Sequence, residues 1–392
     1  MSSAPWVPPE VQEQAERLLR AERAAYALLP VHPWQAGYLL QRDAVRAQVT
    51  DGALVPLGSL GNEVYPTSSV RTVCDPGFAI SWKLPLHVRI TNFIRNNPME
   101  HARRAADAGR LLGTLRNEWT HDGFEVLLET GYHTVNDSAL AADFAVLYRE
   151  NPFATRNEAP QVVAGLLEEN ADGTEPELLR YVRQATGHPA DRHPADRHPA
   201  DRLPADRLPE GRLPADHVAE WLRRYLQISL LPLLSMFCVH GVSLEAHVQN
   251  SLLHLEDGWP VRFFVRDMEG TSVSRQRWEA GGRGAFPADS PVLYDDAEAW
   301  LRLKYYVVTN HLGHLVHVLG RYTGVDEWWL WQVVRELVQE AAADRNGPGR
   351  YAADLLSSPV LPAKANLIGR FAGRGERPLY VDVPNPMHGV SR

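Results

Sequence analysis

His240–Gly270 reads HGVSLEAHVQNSLLHLEDGWPVRFFVRDMEG, and the parsing of this stretch decides the fold. It follows the apolar run Ile228–Val239, so the chain has just left a core. A packed helix has little use for Glu245, His247, Gln249 and Asn250 so close together. Next come Ser251–Leu255, the turn signal Glu256-Asp257-Gly258, then Val261–Val265 and Arg266-Asp267. The pattern predicts a polar loop, a short strand, a turn and a second strand that ends on a carboxylate. A hairpin folds the chain back, which brings Asn250 toward Asp267. An amide oxygen beside a carboxylate is a hard-oxygen site suited to Mg²⁺ carrying a nucleotide phosphate. The competing reading is a polar hairpin at a sheet edge.

At 392 residues the chain exceeds one comfortable core, so two domains are expected. Apolar content of 44% and charged content of 22% are those of a soluble globular protein. A net charge of −8 argues against nucleic acid as the main partner. Cys74 and Cys238 are too few for a disulfide framework or a cysteine zinc site, which fits a reducing cytoplasm. No signal peptide is expected, because no N-terminal segment pairs a basic start with an apolar stretch. Ile228–Val239 contains Pro232 and is too short to span a bilayer, so it reads as a buried helix and no membrane partner is expected.

The periodicity predicts helices over 10–29, Gln35–Val49, Met99–Glu118, Ala139–Arg149, Pro160–Glu169, Pro176–Thr186, His217–Val239, Trp300–Tyr322 and Glu327–Ala343. Strands are expected over Leu54–Leu60, Val64–Tyr65, Phe78–Leu84, Phe124–Thr130 and Tyr132–Val135. Between strands lies Pro66-Thr-Ser-Ser-Val-Arg-Thr72. Its hydroxyls, backbone N–H groups and guanidinium suit an oxyanion or phosphate, although Ser/Thr-rich turns are also common without one. Lys83, Arg89 and Arg95 are cations inside core-like sequence and need partners. An anionic ligand would serve, and so would carboxylates such as Glu63 or Glu129. His188–Asp216 repeats a Pro every fifth residue and reads as a solvated spacer. His311, His314 and His317 share a helical face and read as core or interface histidines rather than metal ligands. No GxxxxGK[ST], GxGxxG or GxSxG occurs.

His32-Pro-Trp-Gln35, Pro66-Thr-Ser-Ser-Val-Arg-Thr72, Lys83-Leu-Pro-Leu, Ile90-Thr-Asn, Glu245-Ala-His-Val-Gln-Asn250, Arg266-Asp267 and Lys364-Ala-Asn-Leu occur in this order along the chain. The ordered set resembles the IucA/IucC family, ATP-dependent siderophore synthetases that work without a peptide-synthetase assembly line. The resemblance implies an acid–amine ligase. A carboxylate such as citrate or a succinylated hydroxamate attacks the α-phosphate of ATP, giving an acyl-adenylate and pyrophosphate. An amine, hydroxylamine or alcohol then releases AMP. It also implies roles. Ser68, Ser69, Arg71, Thr72 and Lys83 would contact the ATP phosphates, with Gln249 beside the nucleotide. Glu245, Asn250 and Asp267 would hold Mg²⁺ or nucleotide. His247, Thr91 and Arg95 would meet the substrate carboxylate and the transferring phosphate. His32 and Lys364 would complete the carboxylate pocket.

The implied fold class is α+β: a fingers-like, phosphate-binding domain over 1–187 with an antiparallel or mixed sheet, the spacer over 188–216, and a mainly helical palm over 217–392 carrying a small hairpin. The resemblance allows a homodimer. It also implies an N-terminal thumb domain ahead of the His-Pro-Trp-Gln counterpart. Here His32 stands almost at the first residue, so the thumb is expected to be missing. Two rivals stay open. His240, Asn250 and Asp267 have the cadence of a small-molecule kinase, although such a kinase would show an Asp just before the Asn as base. A thumbless, inactive ligand-binding relative is the other.

Overall fold

Residues 139–149, expected as one helix, instead break into two elements. Only Ala141–Phe144 is helical, and Val146–Glu150 is an inner strand of a five-stranded sheet. The computed structural model describes residues 6–19, 26–90, 93–118, 121–156, 158–171, 174–187, 213–281, 289–343, 349–373 and 378–388. The architecture is α+β. The chain divides into two units: Met1–Arg116 with Leu127–Glu158 and Asp267–Glu269, and Asn117–Val126 with Ala159–Arg266 and Gly270–Arg392. This division does not follow the expected boundaries. Ala159–Gly187 belongs with the second unit, and Asp267–Glu269 returns to the first. Most of the pentad tract lies outside the described residues. Its end is structural, because Leu213 is buried and a helix already begins at Ala215.

In the first unit the sheet runs in the order Tyr65–Pro66, Thr72–Cys74, Ile80–Lys83, Val146–Glu150, Glu129–His133, every pair antiparallel. Side chains alternate across a strand. One face therefore carries Val73, Trp82, Val146 and Tyr148, packed with Trp6, Leu29, Phe78 and Ile80. The other face carries Lys83, Leu147, Arg149 and Glu129. The helix Met99–Leu115 covers this second face through Ala102 and Ala105, which meet Leu147. Its approach is close because Gly109 has no side chain: a Cβ there would lie 1.9 Å from the Glu129 carbonyl oxygen. Ala145–Tyr148 is buried throughout, and an inner strand covered on both faces overrides the weak helical pattern of residues 139–149. The expected helix Gln35–Val49 is two helices, Pro33–Leu39 and Asp43–Thr50, and Leu54–Leu60 is not a strand.

The second unit is mainly helical. Its four-stranded sheet runs Phe124–Val126, Trp259–Val265, Ser251–Glu256, Gln161–Val162, with the first pair parallel. The Asp257-Gly258 turn has φ of 48° and 81°, as a two-residue type I′ hairpin requires. Gly258 O accepts from Trp221 Nε1 at 2.9 Å, which pins the hairpin to the helix Ala215–Ile228. A second helix, Leu230–His240, follows after a break at Ser229. Pro232 explains the break, since its ring opposes the carbonyl four residues earlier. Ala215–His240 together is long and apolar enough to cross a membrane by length and composition, yet 56% of its most apolar 18-residue stretch is buried within the protein. Trp221, Leu222, Tyr225, Leu226, Leu233 and Phe237 make it a core element. The expected helix Trp300–Tyr322 changes winding: Asp296–Leu303 and Gly313–Thr323 are α-helical, and Lys304–Leu312 between them is π-helical.

Candidate functional site

The chemistry of the first unit gathers at Lys83. Its Nζ lies 2.6 Å from Asp267 Oδ1, 3.0 Å from Glu269 Oε2 and 4.0 Å from Glu129 Oε1. The lysine is 2% exposed and Glu129 is fully buried, whereas Asp267 and Glu269 keep 27% and 29% of their side chains exposed. A buried cation thus lies beneath two reachable carboxylates. Arg149 Nη2 is 2.7 Å from Glu129 Oε1 and 3.7 Å from Asp267 Oδ2. His101 Nδ1 meets Glu269 Oε1 at 2.9 Å from the first turn of its helix. Burial by itself would lower the pKa of Lys83, but Asp267, Glu269 and Glu129 outweigh it and raise the value above 10.5. Burial would raise Asp267; Lys83 and Arg149 prevail and hold it at about 2. Glu269 is likewise held well below the carboxylate range against its burial, by Lys83 and His101. All three groups are therefore ionised at neutral pH.

The loop before this cluster is closed by its own hydroxyls. Thr67 N donates to Thr72 O at 2.8 Å, Thr72 N to Ser69 Oγ at 3.2 Å and Ser69 N to Thr67 Oγ1 at 3.4 Å. Ser68 is exposed at the tip, while Thr72 is buried in the strand and pairs in register with Lys83. Arg71 turns into the fold. Its guanidinium donates to Arg95 O at 3.1 Å and to Asn97 Oδ1, and Asn97 Nδ2 donates in turn to Lys83 O at 3.1 Å and Ala145 O at 2.7 Å. Arg71 thus braces the loop against the strand. Arg95 is half-buried in the hairpin Leu86–Ile90 with Phe93–Arg95 and donates to Ile90 O at 3.1 Å. His32 caps the helix Pro33–Leu39, its Nδ1 accepting from Trp34 N at 3.1 Å, and burial lowers its pKa. Thr91 lies outside the described residues.

In the second unit the polar loop is built by backbone contacts. Asn250 Nδ2 donates to Glu245 O at 3.1 Å, Gln249 N donates to His247 Nδ1 at 3.2 Å, and Arg266 Nη2 donates to Gln249 O at 3.0 Å. His311 Nδ1 contacts Ala246 O at 2.8 Å and Nε2 contacts Tyr225 Oη at 2.6 Å, and burial pushes its pKa down to about 4. It is a core histidine that holds the loop. The π-helical turn presents Tyr305 and Tyr306 to Lys364. Lys364 Nζ bonds Tyr306 Oη and lies 5.0 Å and 4.4 Å from the two ring centroids. Tyr306 also hydrogen-bonds Glu245, and the His247 ring is 5.9 Å from it. Burial lowers the pKa of Lys364, with Glu245 opposing. The buried Tyr380 hydroxyl and Arg302 Nε have no hydrogen-bond partner among the described residues.

The structure thus sorts the sequence-predicted residues into two sets. Lys83, Asp267 and Arg71 share the first unit with Ser68, Ser69, Thr72, Arg95 and His32, and Glu245, His247, Gln249, Asn250 and Lys364 share the second. The expected trio Glu245, Asn250 and Asp267 is not collected within one unit: Asp267 is held by Lys83 and Arg149, Glu245 by Tyr306. Glu129, one of the carboxylates expected as a counter-charge for Lys83, lies 4.0 Å from it, beside Asp267 and Glu269. Among the described residues no cluster of three or more His, Cys, Asp and Glu side chains is arranged as a metal site. Glu269, His101, Arg149 and the Tyr305–Tyr306 pair carried no sequence signal, because each acquires its place only through long-range pairing.

Residues 5–168 match the IucA / IucC family model, and residues 219–379 match one described as a ferric iron reductase FhuF-like transporter. The L-2,3-diaminopropanoate–citrate ligase of Staphylococcus aureus is 35% identical over 380 residues, covering 92% of this chain and 60% of that protein. A spermidine–citrate ligase of Bacillus anthracis is 29% identical over 377 residues, covering 92% and 58%. The chain therefore spans about 60% of the length of these curated relatives. The ATP-bound aerobactin synthetase IucA of Klebsiella pneumoniae superposes with a TM-score of 0.79 at 22% identity over 98% of this chain and 67% of that one. The petrobactin biosynthesis protein AsbB of Bacillus anthracis gives 0.74 at 20% identity over 97% and 63%. At that identity the likeness speaks for the fold. Ordered motifs, the family match over the first unit and curated relatives aligned along nearly the whole chain agree, and the chain belongs to the IucA/IucC family.

Proposed function

We propose that the chain is a cytoplasmic, ATP-dependent siderophore synthetase, which adenylates a carboxylate such as citrate and condenses it with an amine, hydroxylamine or alcohol. The observation that carries this reading is Lys83, buried under the partly exposed carboxylates of Asp267 and Glu269. Adenylyl transfer depends on positioning and on neutralising phosphate charge. A buried lysine with reachable acids above it supplies both signs of charge at one place. The relatives' names, two of them citrate ligases and one an ATP-bound synthetase, support the same substrates.

Asp267 and Glu269 present hard oxygens of the type Mg²⁺ takes from one or two carboxylates while keeping phosphate and water ligands, so these two would hold it. Glu245 and Asn250 are oxygen donors of the same class in the second unit. The ion supplies neutralisation of the triphosphate. Lys83, relieved of its carboxylates, donates to a phosphate oxygen. Ser68 and Ser69 add hydroxyl donors, Arg71 and Thr72 fix the loop that carries them, and Gln249 lies beside the nucleotide. His247, Thr91 and Arg95, with His32 and Lys364, receive the substrate carboxylate. One of its oxygens attacks the α-phosphorus as the bond to pyrophosphate breaks. The nucleophile's nitrogen or oxygen then bonds to the acyl carbon, AMP leaves, and the nucleophile gives up a proton. A homodimer is compatible with this scheme.

The test is a panel of carboxylates, citrate first, against diaminopropanoate, spermidine and hydroxylamine donors, read by pyrophosphate release. Release that requires both an acid and a nucleophile supports the proposal. Binding of ATP and citrate without exchange of labelled pyrophosphate into ATP refutes it in favour of a ligand-binding relative.

A further inference from the structure

Asp267 adopts a left-handed backbone, φ 72°, at the start of the Asp267–Glu269 turn. Asp enters this region more readily than most residues but still at a cost, and here its neighbours hold it there. The surroundings are two buried side chains, Glu129 and Arg149. Glu129 is fully buried, and its Oε2 accepts a 3.0 Å hydrogen bond from Met268 N, the peptide that follows the strained residue. Its Oε1 accepts from Arg149 Nη2 at 2.7 Å. Arg149 is 5% exposed and reaches Asp267 Oδ2 at 3.7 Å. The two residues are cross-strand partners, Glu129 opposite Arg149. The helix packs closely on the Glu129 backbone at Gly109, where a Cβ would lie 1.9 Å from the Glu129 carbonyl oxygen. Arg149 Nε is buried with no hydrogen-bond partner among the described residues. A pair selected for stability alone would not retain an orphaned donor, since an apolar pair of the same volume serves stability at least as well.

We infer that Glu129 and Arg149 are positioning residues: they set the Asp267–Met268–Glu269 turn so that both carboxylates face one point above Lys83. The inference rests on the reading that this point receives magnesium–ATP. The pair itself touches neither ligand. Glu129 holds the backbone of the turn, Arg149 orients the far oxygen of Asp267, and the sheet register fixes both. Loss of the pair loosens the turn without removing any group that contacts nucleotide.

Three variants of the full chain test this. Glu129→Leu with Arg149→Met removes both charges together, so no orphaned charge is left inside. Glu129→Gln keeps a carbonyl oxygen for Met268 N. Glu129→Asp keeps the charge but falls a methylene short of that N–H. Amide hydrogen exchange is followed across 267–270, with the strand Val146–Glu150 as the folded control, and magnesium–ATP affinity by calorimetry. In the double variant the Met268 amide exchanges at least about tenfold faster, with the strand still protected, and magnesium–ATP binds about tenfold or more weakly; Glu129→Gln, whose one amide oxygen serves Met268 N, recovers most of the protection. If the double variant does not fold, Glu129→Asp decides, and it shows the same deprotection and the same loss of affinity. A variant that folds, keeps Met268 protected and binds magnesium–ATP as the wild type does overturns the inference. Wild-type protein that binds no magnesium–ATP overturns the nucleotide reading instead, and the exchange measurement still judges the positioning claim.

Discussion

Replacing Asp267 by Asn removes one charge from the Lys83 cluster and leaves its shape. In the folded protein Lys83 and Arg149 hold the Asp267 carboxyl at about 2 against an ordinary value of 3.8. That gap corresponds to about 2 kcal/mol. The folded pKa is the lower one, so the stabilisation is complete above pH 4 and disappears as the pH falls toward 2. Below that the carboxyl is protonated in both states and contributes nothing. Guanidinium unfolding, followed by tryptophan fluorescence, gives stability at each pH. The wild-type protein should lose about 2 kcal/mol more than Asp267→Asn between pH 5 and pH 2. Neutral-pH stability of the variant should be lower by a similar amount, because Lys83 retains Glu269 and Glu129 as partners. If the two proteins lose stability in parallel over that range, Asp267 is not held by Lys83, and the account of the cluster fails.

A second acid transition belongs to the second unit. His311 is neutral in the fold with a pKa of about 4 against 6.5 unfolded, so stability drops by about 3 kcal/mol between pH 7 and pH 4, and His311→Phe should flatten that slope while lowering stability at neutral pH. Gly109→Ala places a Cβ 1.9 Å from the Glu129 carbonyl and should cost about 1–3 kcal/mol, seen as a melting temperature several degrees lower. Arg95→Ala should abolish carboxylate-dependent pyrophosphate release with the melting temperature unchanged, and unaltered turnover would remove Arg95 from the carboxylate pocket.

Local chemistry made some of this legible. Asp257-Gly258 announces its hairpin because Asp-Gly suits the two left-handed positions of a type I′ turn. Lys83 stands out as a cation in apolar sequence, and Glu129 is among its possible counter-charges. The helix Glu327–Ala343 is visible in its own periodicity. What stayed hidden depends on distant partners. Val146–Glu150 is a strand because Ile80–Lys83 and Glu129–His133 flank it, and nothing within 139–149 says so. Glu269 reaches Lys83 across 186 positions, a pairing no local pattern encodes. The π-helical winding at Lys304–Leu312 aims Tyr305 and Tyr306 at Lys364, whereas an α-helical reading would place them on another face. The Ser/Thr loop is half-legible: its hydroxyls were expected to meet an oxyanion, and two of them are engaged in closing the loop on itself.

The nucleotide product tests the central claim most directly. Purified protein, ATP, Mg²⁺, citrate and diaminopropanoate are combined, and the adenine nucleotides are separated. A ligase working through an acyl-adenylate yields AMP and pyrophosphate in equal amounts, only when citrate is present. ADP as the product would contradict the account and make the chain a phosphotransferase on the same fold.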